Sequence, residues 1–257
     1  MVLTGDYHTH TVFSHGKGQI IENAISAKEQ GLKEVGISDH GFSHPAFGLT
    51  KRKVPKMRKL CDEACIKTGV KVLLGVESNI IGTDGKVDLS PKLYDDFDLF
   101  LAGIHKFVLY KFGTIFSLAI PDLFYTYVKK EGVSEWVIKQ NTRTFINVIK
   151  KNPVDMITHL NFCCFADAVE VAKAAADYGT YIELNSKKVH LTDKEIQDIL
   201  KTDVRFLISS DAHSPQRVGE ISLIENTIKR LDFPIGRIDN IDGRLPDLRF
   251  RKFKEGR

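Results

Sequence analysis

The chain has few of the residues that mark disulfide scaffolds and redox proteins. It contains four cysteines and a single tryptophan among 257 residues. The cysteines show no CxxC spacing and no signal peptide precedes the first apolar run, so we expect a reduced, cytoplasmic setting. They are Cys61, Cys65, Cys163 and Cys164.

A strong excess of one charge is also absent. The chain has 37 basic and 33 acidic residues, and residues 243–257 alone hold six basic and two acidic ones. The remainder is therefore balanced, which disfavours nucleic acid as a partner. We expect the basic segment 241–257 to be a solvated or self-packed terminus, with contact to an acidic partner as the alternative.

The chain lacks an uninterrupted apolar run that could cross a membrane. The nearest approach is residues 107–128, which hold seven aromatic residues and only Lys111 and Asp122 as charges. A spanning helix needs about 20 mostly apolar residues, whereas Pro121 and Asp122 interrupt this run. We therefore expect no membrane partner, and we interpret the segment as an insertion that covers a pocket or forms a subunit contact in a homo-oligomer.

What the sequence does contain is a regular alternation of short β-branched runs and stretches with helical periodicity. The runs predict strands over residues 3–7, 34–38, 71–76, 97–103, 154–158, 180–184 and 205–209. The periodic stretches predict helices over residues 20–30, 53–67, 137–150, 167–178, 193–201 and 216–231. Gly31, Gly69 and Gly179 follow helices as C-caps do, and Thr192 with Glu195 matches a capping box.

This alternation predicts an α/β fold built from parallel βαβ units. About seven units without a Pro-, Gly- or Ser-rich linker favour one domain, a (β/α) barrel of seven or eight strands. An open doubly wound sheet is the rival, but the glycine-rich loop expected after its first strand is missing. Barrels of this kind carry their active sites at the C-terminal ends of the strands.

Imidazole and carboxylate groups follow most of the predicted strands at that end. His8 and His10 form an HxH, and residues two apart in an extended chain point to the same side. Buried His and Glu are poor core fillers without partners, so a metal site explains their recurrence. The predicted ligands are His8, His10, His15, His40, Glu77, His105, His159, Asp211 and His213.

Nine ligands are more than one ion uses, since a tetrahedral zinc takes three or four. We therefore expect two or three divalent ions that share a carboxylate, with Zn, Mn and Fe all suited to the donor set. Clustered ions lower the pKa of a bridging water and clamp the oxygens of a phosphate displacement. The chemistry indicated is phosphoester hydrolysis by a metal-bridging hydroxide.

The motifs that carry these ligands resemble those of the PHP (polymerase and histidinol phosphatase) family, from about residue 3 to residue 220. They are Asp6-Tyr7-His8-Thr9-His10, His15, Ser38-Asp39-His40, Gly75-Val76-Glu77, Gly103-Ile104-His105, Thr158-His159 and Ser210-Asp211-Ala212-His213. The resemblance implies a distorted seven-stranded TIM-like barrel over residues 1–240, with an insertion at about 107–134 and a trinuclear site. Because the chain stands alone, it is more similar to free-standing bacterial phosphatases than to polymerase-associated domains, and histidinol phosphate is the substrate suggested by the family name.

The resemblance also implies how the ligands divide among three ions. His8, His10, Glu77 and Asp211 would hold the first, Glu77, His105 and His159 the second, and His15, His40 and His213 the third. All nine positions carry a ligand residue, so an active enzyme is favoured over a degenerate copy. We assign catalytic roles to Glu77, Asp211 and His213.

Several further residues lie near the motifs. Lys106 and Arg217 are candidates for binding the substrate phosphate. Asp39 is expected to orient His40, and Asp6 to face solvent or a neighbouring helix. His44 and His190 match no motif and are assigned no metal, whereas Glu183 and Asn185 end the sixth strand and are candidates for hydrogen bonding or solvation.

The leading hypothesis is thus a metal-dependent phosphatase that acts on a small phosphate monoester. The first alternative is a nuclease or phosphodiesterase, which would release nucleotides with a marked salt dependence. The second is a non-catalytic, metal-stabilised interaction module that would bind metal without hydrolysing any phosphate. An amidohydrolase also uses an HxH on its first strand, but it has no place for His15, His40 and His213.

Overall fold

Seven parallel strands form one sheet in the computed structural model, which describes residues 1–129 and 132–256. The strands are β1 Gly5–Thr9, β2 Glu34–Ile37, β3 Lys71–Asn79, β4 Leu99–Gly103, β5 Met156–Ile157, β6 Tyr181–Asn185 and β7 Phe206–Ser209. They are hydrogen-bonded in sequence order. A parallel bridge between Thr9 and Ala212 joins the first strand to the segment after the last. The predicted distorted seven-stranded (β/α) barrel is confirmed.

Helices lie between the strands, as the periodicity predicts. The α-helices are α1 Ile20–Glu29, α2 Val54–Thr68, α3 Phe112–Thr114, α4 Ile120–Phe124, α5 Glu135–Lys151, α6 Ala168–Tyr178, α7 Asp193–Ile199, α8 Ser222–Arg230 and α9 Arg249–Glu255. Two π-helical turns, Ile115–Ala119 and Tyr125–Lys129, make residues 112–129 one continuous helical segment. Gly69 and Gly179 cap α2 and α6 in the left-handed conformation, and Thr192 with Glu195 forms the predicted capping box on α7.

Several predicted boundaries differ from the observed ones by one or two residues, and the two largest differences have identifiable reasons. Strand β3 runs three residues past Val76, because Asp88 hydrogen-bonds the buried polar residues Ser78 and Asn79. The last predicted helix begins at Ser222 rather than at residue 216, since a short 3-10 turn, Pro215–Arg217, is followed by Gly219 at φ 76°. Neither boundary could be predicted from apolar periodicity, because polar contacts set the first and a turn with a left-handed glycine sets the second.

Apolar side chains fill the barrel interior below the polar ligands. Tyr7, Leu73, Leu99, Leu101, Met156, Tyr181, Leu207 and Leu248 form a buried cluster. Side chains two apart on a strand share a face, so Glu77 lies on the same face of β3 as Leu73. Glu183 follows Tyr181 on β6 in the same way. Strands β3 and β6 thus carry apolar residues low in the barrel and a carboxylate toward the C-terminal end.

The basic C-terminal segment closes the opposite end of the barrel. Phe250 is fully buried, with its ring centroid 5.1 Å from that of Tyr94 and 5.5 Å from that of Phe100. The amide of Phe250 donates to Asp155 Oδ1 at 2.8 Å, and Arg249 Nη1 donates to the carbonyl of Ile149. The segment therefore packs on its own protein at the N-terminal ends of the strands.

The insertion contains the helical segment 112–129. Residues 130 and 131 of the predicted insertion, and residue 257 of the predicted tail, lie outside the described residues. Within the described ranges, no helix is long and apolar enough to cross a membrane.

Candidate metal centre

The predicted ligands come together at the C-terminal ends of the strands. His8 and His10 are fully buried, and their Nε2 atoms lie 3.1 Å apart. His40 follows β2, His105 follows β4, and His159 follows β5. Glu77 lies two residues before the end of β3 rather than at its end. The separate motifs therefore point into one volume.

Glu77 is the centre of the cluster. Its Oε1 lies 2.7 Å from His159 Nε2, 3.0 Å from His105 Nε2 and 3.3 Å from His8 Nε2. Its Oε2 lies 2.9 Å from His40 Nδ1 and 3.6 Å from His10 Nε2. One buried carboxylate thus reaches five imidazoles, as a ligand shared between ions would.

Asp211 and His213 lie on the other side of His10. Asp211 Oδ1 is 3.5 Å from His10 Nε2 and 3.2 Å from His213 Nδ1. The rings of His15 and His40 are stacked with centroids 4.7 Å apart, and the centroids of His15 and His213 are 4.3 Å apart. All nine predicted ligands therefore belong to one continuous cluster of side chains.

Three groups within this cluster have ligand atoms that all lie within 4.8 Å of one another. They are His8, His10 and Asp211; His40, Glu77 and His105; and His10, His40 and His213. The first group matches three of the four residues that the resemblance implies for one ion. The second contains His40 where the resemblance implies His159, and the third contains His10 where it implies His15.

The unsatisfied polar atoms of the cluster fit metal ions. Both ring nitrogens of His105, His10 Nδ1 and Glu77 Oε2 are buried and form no well-oriented hydrogen bond. His105 Nε2 and Glu77 Oε2 nevertheless lie within 3.0 Å of another atom of the cluster. Ligands of a tetrahedral zinc, at about 2.0 to 2.2 Å from the ion, lie roughly 3.3 Å from one another, close to the separations around Glu77. Leaving such groups buried and unpaired is costly, so the arrangement favours divalent cations bound between them.

Electrostatics in the cluster keep its carboxylates ionised. Burial opposes the charge on Glu77, but His105, His8 and His40 outweigh it and hold the pKa of Glu77 well below its usual range. For Asp211, burial is likewise outweighed by His8 and His10, and its pKa is also well below the usual value. Burial lowers the pKa of His10 well below its ordinary value. Glu77, Asp211 and His10 therefore have the protonation states that metal ligands need. Burial also opposes the charge on His8, but Glu77, Glu183 and Asp211 outweigh it and raise the pKa of His8 well above its ordinary value, so a cation bound there would have to displace a proton.

Two of the predicted ligands have strained backbones. His159 has φ 30° and Asp211 has φ 47°, in a region that residues with a Cβ rarely adopt. Such strain is tolerated where a functional geometry over-determines the backbone. At these positions it turns the chain just past β5 and β7 so that both side chains point into the cluster.

Glu183 supports the ligands from below, a role that the sequence left undecided. Its Oε1 lies 2.6 Å from His8 Nδ1 and also accepts from Ser209 Oγ. Its Oε2 accepts from the amide of His159 at 2.5 Å. A carboxylate on the far nitrogen fixes the tautomer and orientation of a ligand imidazole, and Glu183 is placed to do so for His8.

Two expectations about nearby aspartates are wrong. Asp39 accepts hydrogen bonds from Thr11 N, Thr11 Oγ1 and Ser14 Oγ, so it fixes the loop that carries His15 and not the ring of His40. Asp6 is fully buried and accepts from the amides of Ser210 and Gly219. It ties β1 to the segment around Asp211 because the strand places it against the barrel closure instead of solvent.

A cavity of about 420 Å³ opens over the cluster, within the range of small-molecule sites. Lys106 lines it, as predicted for a substrate contact. Arg217 does not line it and instead pairs with Glu220 at 2.7 Å, because the 3-10 turn directs it away. The full lining is His15, His40, His44, Phe47, Glu77, His105, Lys106, Phe107, His159, Phe162, Lys187, Lys188, His190, Asp211 and His213.

Lys187 and Lys188 are cavity residues that sequence reasoning missed. The Nζ of Lys187 lies 3.4 Å from Asp211 Oδ1 and 3.1 Å from His213 Nδ1. Asn185 Oδ1 accepts from the backbone amides of both lysines, at 2.9 and 3.1 Å. An Asn two residues before a pair of lysines was the available signal, since Asn commonly caps its own following turn.

The insertion contributes one wall of the cavity and leaves much of its own apolar surface in solvent. Phe107 lines the cavity, and Lys106 Nζ lies 4.7 Å from the ring centroid of Tyr127. Phe112 and Phe116 are 80% and 60% exposed. The expectation that this segment borders a pocket therefore agrees with the positions of its first residues.

Comparison with known proteins points to one family. The model of the PHP domain matches residues 6–187. A probable phosphatase of Vibrio parahaemolyticus is 31% identical over 249 residues, which cover 91% of this chain and 86% of the relative. A probable phosphatase of Caldanaerobacter subterraneus is 28% identical and covers 90% of this chain and 85% of the relative.

The fold has a counterpart among solved structures. Histidinol phosphate phosphatase from Lactococcus lactis, complexed with zinc, L-histidinol and phosphate, matches with a TM-score of 0.62 at 16% identity. The match covers 91% of this chain and 95% of that chain. The expected class of enzyme, a metal-dependent phosphatase, agrees with the family and with the names of the relatives. The chain belongs to the PHP domain family.

Proposed function

We propose that the chain hydrolyses a small phosphate monoester at a centre of two or three divalent ions. The observation that carries this proposal is the convergence of nine ligand side chains, several with buried unpaired atoms, under one cavity. The cavity of about 420 Å³ suits a small ester better than a polynucleotide. The family and the relatives' names support the same reaction class.

The three groups of ligand atoms share His10 and His40, so they mark the region in which two or three ions are proposed to bind and do not divide the ligands among those ions. Imidazole and carboxylate donors suit Zn, Mn and Fe. Bound divalent ions would supply a more acidic water and neutralise the charge of a phosphoryl group. His15 and His159 lie outside the three tight groups, and we propose that they complete the coordination of the outer ions.

The chain's own residues would position the ester and its products. Lys187, beside Asp211 and His213, would bind the phosphoryl oxygens. Water attacks phosphorus, the bond to the ester oxygen breaks, and the products are an alcohol and inorganic phosphate. The proton that the attacking water loses would pass to the departing oxygen through a second water in the cavity, beside the side chain of His213, which is 21% exposed.

The test is phosphate release by the metal-loaded chain and by Glu77→Gln, measured on a panel of phosphate monoesters. Gln keeps the shape of Glu77 but removes the charge that five imidazoles face, so we expect a loss of at least a thousandfold in kcat. Glu29→Gln, on the exposed end of α1, is the matched control and should retain full activity. Undiminished turnover by Glu77→Gln would refute the scheme, whereas metal binding without any phosphate release would support the interaction module.

A further inference from the structure

The cavity above the ligands is lined by ammonium groups and has few carboxylates to balance them. Lys106, Lys187 and Lys188 line it. Among the described residues, the lining carboxylates are Glu77 and Asp211 alone, and both belong to the ligand cluster. A substrate that enters therefore meets positive charge outside the metal centre as well as within it.

The lysines are held in place by specific contacts. Asn185 is 5% exposed, and its Oδ1 accepts from the amides of Lys187 and Lys188. Its Nδ2 donates to Asp211 Oδ2 at 3.2 Å, which links this lysine turn to the ligand cluster. The Nζ of Lys106 lies 5.4 Å from the ring centroid of Phe162 and 4.7 Å from that of Tyr127. These contacts fix the backbone of Lys187 and Lys188 beside the cavity and place the ammonium group of Lys106 against the rings of its wall.

Among the described residues, two of these lysines have no carboxylate partner. Within residues 1–129 and 132–256, no carboxylate forms a salt bridge with Lys106 or Lys188, whereas Lys187 lies next to Asp211. Beside them, the rings of Phe162 and His190 have centroids 4.9 Å apart and are inclined to each other at 60°.

We propose that Lys106 and Lys188 select phosphate monoesters whose organic part carries a second anionic group, a carboxylate or another phosphate, and disfavour esters that carry an ammonium group. This rests on the proposed function and names its substrate class. Lys187 would bind the phosphate that is removed, while the other two meet the distal anion. In the described cavity, no carboxylate outside the ligand cluster is available to bind the amine of an ester such as histidinol phosphate.

The test uses three esters that differ only in distal charge. They are benzyl phosphate, its para-carboxylate and its para-aminomethyl derivative, in which the methylene keeps the reactivity of the leaving oxygen nearly equal. For the metal-loaded chain at low salt, kcat/KM should be highest for the carboxylate and lowest for the aminomethyl ester. We expect the extremes to differ by at least tenfold, and 0.5 M salt should shrink the ratio because exposed charges are screened.

Substitutions of the cavity lysines test their effect on substrate preference independently of the metal ligands. Lys188→Glu should reverse the preference toward the aminomethyl ester, and Lys188→Met should reduce it toward unity. Lys106→Met should weaken it in the same direction. Lys59→Glu, a charge reversal on the outer face of α2 at a side chain that is 78% exposed, is the control and should leave the ratio unchanged.

The outcomes separate the two proposals. Each ratio is taken within one variant, so any general loss of phosphate binding cancels. If none of the three esters is hydrolysed, the proposed phosphatase function fails. If benzyl phosphate is hydrolysed but the ratio is near one, or is the same in Lys188→Glu as in the parent chain, the selection by lysine is refuted and the phosphatase function stands.

Discussion

Replacing Glu183 with Gln should weaken metal binding without removing any proposed ligand. The carboxylate of Glu183 meets His8 Nδ1 at 2.6 Å, the amide of His159 at 2.5 Å and the hydroxyl of Ser209. Asn185 Nδ2 also donates to Glu183 Oε2 at 3.1 Å, so a Gln side chain offers one acceptor oxygen where four donors converge. If that oxygen accepts from His159, the amide group of Gln faces His8 Nδ1 and stabilises the wrong tautomer for coordination through Nε2.

The size of the effect follows from the usual role of such carboxylates. Loss of a partner behind a ligand imidazole costs about 10- to 100-fold in metal affinity, which is roughly 1.4 to 2.7 kcal/mol. Competition with a chromophoric chelator measures the affinity directly, and activity should return in large part at excess metal. Glu63→Gln, on the exposed face of α2, is the control. Unchanged metal affinity in Glu183→Gln would show that Glu183 does not orient His8.

Three further predictions concern Asp122 in the insertion, Phe250 in the C-terminal segment and Gly103 beside the predicted ligand His159. Burial raises the pKa of Asp122 to about 7 from 3.8. Because the folded chain holds this proton more tightly than the unfolded chain, stability is lost as pH rises from about 4 to 7. The melting temperature of Asp122→Asn should therefore be higher than that of the parent chain at pH 8 but not at pH 4. Phe250→Ala empties a fully buried site and should lower the free energy of unfolding by about 3 to 5 kcal/mol in denaturant titration, with kcat at 25 °C unchanged. A Cβ on Gly103 would clash with Thr158 Oγ1 and approach His159 Cε1 to 3.0 Å, so Gly103→Ala should lower bound metal on elemental analysis; full metal content would contradict this.

Most of the predicted ligands could be proposed from the sequence because they lie near the C-terminal end of an apolar run that indicates a buried strand. His15 is different, since it lies in the loop after β1. In a parallel barrel all such ends meet at one face, so chain positions as distant as His8 and His213 could be placed together. Their grouping by distance was less predictable. His40 lies closer to Glu77 than the resemblance implies, since register and side-chain rotamers, which no motif encodes, decide which nitrogen meets which oxygen.

The residues behind and above the ligands could not be predicted in the same way. Glu183 pairs with His8 across 175 positions, and nothing local to either residue specifies that contact. Lys187 and Lys188 look like surface lysines in the sequence, and only the turn made by Asn185 brings them to the cavity. Arg217 had the expected charge, but its short 3-10 turn directs it to Glu220.

The central claim is that the nine residues form one centre for two or three divalent ions that perform phosphoester hydrolysis. Elemental analysis of the purified chain, paired with phosphate release before and after chelation, tests it most directly. We predict two to three transition-metal ions per chain and phosphate release that disappears with the metal and returns when it is restored. Fewer than one ion per chain at saturating metal, or phosphate release that survives complete metal removal, would contradict the account.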